Sequence, residues 1–145
     1  MQNQPSGPST PQNTPATTLH SLRAWGVLIF VMFLLTSAVG GSLALESTYL
    51  PITLASHIGL ALVTVAVAGY ATSFVGRKYR AVPRALAGLA ALSALGATIA
   101  GAAFWLGGQS DGALYAMEGL GVIGILLGLG LIVLGGPSGQ RAPGG

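Results

Sequence analysis

Four long apolar stretches, separated by short polar or charged connections, constrain this chain more than any other feature. The first runs from Ala24 to Leu45 without a charge. The second lies between Glu46 and Arg77, is entered through Pro51 and contains one histidine, His57. The third is bounded by Arg84 and Asp111. The fourth starts near Gly112, contains Glu118 and fades at Gly135-Gly136-Pro137. Crossing the hydrocarbon of a bilayer, about 30 Å, takes roughly 20 apolar residues in a helix. Lipid offers no partner to a free N–H or C=O, so runs of this kind pair their backbone internally as helices. Helices are therefore expected over about 22–45, 51–76, 84–107 and 112–135. The expected fold is all-α: an integral membrane four-helix bundle in one domain over 21–136.

Composition agrees with a lipid solvent. Charged residues make up 6% of the chain and hydrophobic residues 52%, whereas a soluble domain carries about a quarter charged residues. Six basic and three acidic side chains could not cover the surface of a soluble protein of this length. The 23 glycines are concentrated in the apolar runs, where small residues allow helices to approach closely. The absence of cysteine excludes disulfides, thiolate zinc sites, iron–sulfur clusters and cysteine nucleophiles. Residues 1–20 open on an uncharged Gln, Asn, Pro, Ser and Thr segment, expected to be a disordered tail and without the apolar core of a signal peptide. Residues 137–145 form a second short tail.

The charges also set an orientation. Arg23, the cluster Arg77, Lys78, Arg80 and Arg84, and Arg141 all fall on one side of the four spans. Glu46, Asp111 and Glu118 lie in or near the other two connections. The positive-inside rule places both tails and the 77–84 connection in the cytoplasm of a cell-membrane protein. Trp25, Tyr49, Tyr70, Tyr79, Trp105 and Tyr115 fall near helix ends, as an aromatic belt requires. The basic residues thus read as membrane anchors that can also touch anionic head groups, and no nucleic-acid partner is expected.

Sliding the sequence on itself by 61 residues aligns the halves without a gap, placing Arg23 on Arg84, Gly40 on Gly101, Ala55 on Ala116 and Gly69 on Gly130. Two helical hairpins in parallel repeat, related by an axis along the membrane normal, would give such a match. The same register sets His57 on Glu118, each about six residues inside its helix, or roughly 9 Å below the outer surface at 1.5 Å per residue. Small residues mark the packing faces: Gly40 and Gly41 on the first helix, Gly101 on the third, and the Gly124/Gly128 GxxxG pair on the fourth. Thr53, His57, Ala61, Thr64, Ala68 and Thr72 form a small and polar stripe on the second. A compact bundle is expected, with a narrow cavity near the outer leaflet.

An ionisable residue within the membrane is a candidate functional group. The structural alternative is that His57 and Glu118 reach the outer surface or hydrogen-bond each other. Of the functional readings, His57 as a haem-iron ligand comes first, since imidazole is the common axial ligand. Glu118, water or a second protomer would then supply the other position. A His–Glu pair sharing a proton at a quinone or similar substrate is the next reading. His20, beside Arg23, is expected to be cytoplasmic and out of reach of this site. No Walker loop, GxSxG, HExxH or dinucleotide fingerprint is present in a credible context.

Two tandem hairpins, a His near the outer end of the second helix in ASHIGLALV, and a candidate ligand at the matching place of the fourth in YAMEGLGVIG resemble one half of the haem A synthase family over about residues 22–135. The resemblance implies haem held between helices, with His57 at the first ligand position and Glu118 at the second. Glu118 stands where that family has a second His, and its Glu-x-x-x-His-Arg signature is absent. These departures imply a haem-binding or structural relative without haem-oxidation chemistry, and no catalytic residue is assigned. The expected function is thus a small haem-binding membrane protein linked to the respiratory chain or cytochrome oxidase assembly. A non-enzymatic accessory subunit, as a homo-oligomer or within a larger membrane complex, is the alternative. A small transporter acting as a homodimer is the third.

Overall fold

The computed structural model describes residues 16–45, 51–108 and 110–136, with side chains in the first segment described from 21 to 43. The two expected tails lie wholly or mostly outside these residues, as do Glu46, Tyr49 and Arg141. Four helices account for nearly all of what is described: α1 (Ala16–Leu45), α2 (Pro51–Lys78), α3 (Ala81–Leu106) and α4 (Asp111–Leu134). Among the described residues there is no strand. Each helix contains a stretch long and apolar enough to cross a membrane. The chain is an all-α, multi-pass membrane four-helix bundle.

Local chemistry explains most of the helix ends. Pro51 opens α2 and Pro83 sits in the first turn of α3, positions where a missing N–H and a fixed φ cost nothing. Asp111 begins α4 and places a carboxylate at the positive end of that helix. Gly107 closes α3 by donating its N–H to the Ala103 carbonyl at 2.8 Å. Gly108 follows with φ +82°, a left-handed conformation that glycine adopts without a Cβ clash. The main departure from expectation is at α1. Its apolar span runs from Ser21 to Leu43, yet the helix begins at Ala16 and takes in part of the expected tail, including His20. Extending an established helix adds one hydrogen bond per residue fixed, so polar residues can prolong a nucleated span.

The helices form a ring in which α1 packs on α2, α2 on α3, α3 on α4, and α4 back on α1. The connections are short, so neighbours run antiparallel. Backbones approach closely between α1 and α4. A Cβ at Gly26 would lie 2.7 Å from the Ile132 nitrogen, and one at Gly128 would lie 2.9 Å from the Phe30 nitrogen. At the end of α4 a Cβ on Gly135 would lie 2.6 Å from the Arg23 nitrogen, and Gly124 faces the Phe33 ring. The α4 GxxxG pair thus meets α1. Hydroxyls tie the more open α2 to both neighbours. Thr36 and Thr64 share a hydrogen bond of 2.9 Å between α1 and α2, and the Thr72 hydroxyl donates to the Ala87 carbonyl on α3 at 2.9 Å.

The buried core lies in the half of the bundle next to the basic 77–84 connection. Leu22, Ile29, Val75 and Leu131 are its largest fully buried side chains, with Ala68, Ala71, Ala87 and Ala90 between them. An aromatic and hydroxyl cluster finishes this end. Trp25 packs on Tyr70 and Phe74 with ring centroids 5.5 and 5.7 Å apart, and Lys78 lies over Phe74 at 4.3 Å. Ser21 and Tyr79 share a hydrogen bond of 2.6 Å. Leu62, Leu92, Leu126 and Val133 point outward, the place for apolar side chains in lipid.

The repeat is present in the burial pattern, with one shift. Buried Gly26, Ile29 and Phe33 on α1 correspond to buried Ala87, Ala90 and Ala94 on α3, a spacing of 61. On α2 and α4 the spacing is 60. The alternation of exposed and half-buried positions over 51–60 recurs position for position over 111–120, and buried Thr64 and Ala68 correspond to Gly124 and Gly128. The cause is connection length, five residues (46–50) in the first hairpin and four (107–110) in the second. One residue turns a helix face by about 100°.

Candidate functional site

The half of the bundle away from the basic connection is hollow. A cavity of about 510 Å³ is walled by all four helices, within the size range of cofactor and small-ligand sites. Phe33, Phe104, Ile125 and Leu114 give it an apolar lining, and polar groups enter from Thr36, Thr64, Thr98 and His57. The Thr36 and Thr64 hydroxyls lie 2.9 Å apart and within 2.8 and 2.7 Å of the Met32 and Leu60 carbonyls, so both of their protons have acceptors within the protein. Thr98 likewise donates to the Ala94 carbonyl at 2.8 Å. His57 is different. Its Nδ1 is buried and has no hydrogen-bond partner among the described residues. The Thr36 backbone lies beside the imidazole, but in a geometry that leaves Nδ1 unsatisfied.

The position of the ring depends on Gly40. A Cβ there would stand 2.7 Å from His57 Cε1 and 3.3 Å from Nδ1. The glycine makes a notch in α1 into which the imidazole fits. Gly101 makes the same notch in α3, but the side chain beside it is Met117, whose Sδ would lie 3.2 Å from an added Cβ.

The expected partner, Glu118, is placed differently from His57. It borders the same cavity yet is exposed, whereas His57 is half-buried. Their equivalence in a gapless repeat does not hold on α4, because the shorter second connection turns Met117, not Glu118, onto the inward face. The remaining glycines divide. Gly40, Gly101, Gly124 and Gly128 each receive a neighbouring group, whereas a Cβ at Gly41 would meet nothing within 4 Å. Gly41 borders the cavity on an exposed face and does not pack a helix. Sequence reasoning assigned Trp105 to the interfacial belt. Its ring borders the cavity, edge-on to Phe104 at 6.0 Å between centroids. Its position near a helix end carried no sign of that second role.

Among the described residues no three His, Asp or Glu side chains gather as they would around a bare metal ion. One imidazole in an apolar chamber instead suits an organic ligand with one polar atom, or a metal that arrives in its own equatorial ring. Haem would be a ligand of the second kind, and His57, seated in the Gly40 notch, is the one imidazole among the residues that line the chamber. No protein family, curated protein or solved structure matches the chain.

Proposed function

We propose that this chain is a small haem-binding protein of the cell membrane, holding the porphyrin in the chamber between its four helices through His57. The observation that carries this reading is the half-buried imidazole of His57 at the wall of an apolar chamber of cofactor size. His57 would bind the iron, the Gly40 notch seats the ring, and Phe33, Phe104 and Trp105 would keep water from the macrocycle. Haem supplies one-electron chemistry when bound, in keeping with a respiratory or haem-handling role such as oxidase assembly. No enzymatic step is assigned to the chain.

The orientation belongs to the same proposal. With Arg77, Lys78, Arg80 and Arg84 at the cytoplasmic face, both chain ends are cytoplasmic and the chamber opens in the outer leaflet. The test is optical. Protein purified from a haem-replete host should show a Soret band that falls to background in His57→Ala while far-ultraviolet helicity is unchanged. A colourless wild-type protein would overturn the reading.

A further inference from the structure

The one-residue shift between the hairpins changes which side chain stands opposite His57. We infer that Met117 on α4 is the structural counterpart of His57 and would supply a second ligand to the iron of a haem held in the chamber; this rests on the haem reading above. Three observations converge. Residues 51–60 and 111–120 have identical exposure patterns, and His57 occupies in the first the place of Met117 in the second. The identities Leu54/Leu114, Gly59/Gly119 and Leu60/Leu120 follow that register, so His-Ile-Gly-Leu lies on Met-Glu-Gly-Leu. Finally, each of the two side chains rests against the equivalent glycine of the preceding helix, His57 on Gly40 and Met117 on Gly101.

The two therefore enter one chamber from helices that are not neighbours in the ring, at matching positions of a two-fold repeat. The chemistry suits the place. A thioether is neutral and soft, enters an apolar chamber without the cost of a buried charge, and is an established iron ligand opposite histidine, where it raises the reduction potential. Glu118, one residue on, is exposed at the chamber rim, where its carboxylate can stay hydrated.

Met117 could instead be a gap-filling core residue, and the experiment separates the two roles. The full chain is purified with haem, and ferric and ferrous spectra are recorded with a redox titration. Wild-type protein should be low-spin and six-coordinate, with the red ferric band of a thioether–iron charge transfer. Met117→Leu, close in volume, should keep its haem but become high-spin and bind carbon monoxide. Met117→His should return to low spin without the thioether band and at a lower potential. Glu118→Gln should match wild type. An unchanged Met117→Leu spectrum overturns the assignment and leaves the His57 reading standing, as does loss of the low-spin form in Glu118→Gln. If the leucine variant does not fold, an unchanged spectrum and potential in Met117→His overturn it equally. Wild-type protein without haem overturns both.

Discussion

Glycines in this chain do three separate jobs, distinguished by what stands over each missing Cβ. At Gly128 the neighbour is the Phe30 backbone at 2.9 Å, which can move only if the whole α1–α4 contact widens. Gly128→Ala should therefore destabilise the bundle by about 1–3 kcal/mol, the usual cost of overpacking. Gly40 faces an imidazole, a side chain with some freedom to turn, so alanine there should disturb the chamber more than the fold. Gly41 faces open space, and Gly41→Ala should lie within about 0.5 kcal/mol of wild type, as surface substitutions do. Reversible unfolding in mixed micelles measures all three. Equal losses at Gly128 and Gly41 would refute this division.

At the scale of the helix, α4 is held to α1 by backbone proximity, while α2 is held by hydroxyls. The Thr36–Thr64 bond between α1 and α2 should show a coupling of about 0.6 kcal/mol, and no more than ~1.7, in a double-mutant cycle with valine. A coupling of zero would mean that the pair does not tie the helices. Much of this arrangement was legible beforehand. Uninterrupted apolar runs leave lipid-embedded backbone one option, so helix number and approximate bounds could be read from Ala24, Pro51, Arg84 and Gly112. The GxxxG of α4 could be recognised as a contact, but not as a contact with α1, since spacing names a face and not its partner. His57 stood out because an imidazole in such a run is rare. Met117 did not, because methionine is ordinary there and a gapless alignment put Glu118 in its place. The missing residue lies in a connection, where an indel leaves both helices intact and betrays itself only by rotating one face.

For the whole molecule the proposed sidedness has a direct test, helped by a sequence without cysteine. Ser110→Cys, at the α3–α4 connection, should react with a membrane-impermeant maleimide on intact cells. Ser138→Cys should react only after lysis. The opposite pattern would invert the proposed orientation and put the chamber in the inner leaflet. Either result leaves the four spans in place, because these follow from helix length and apolarity.

The division of the bundle into a packed half and a hollow half has an electrical consequence. Leu22, Ile29, Val75 and Leu131 fill the cross-section at one end as a low-dielectric plug, through which an ion or a hydrated proton would have to shed its water. The occupant proposed for the chamber would therefore meet water from the hollow end of the bundle, with the packed end closed behind it.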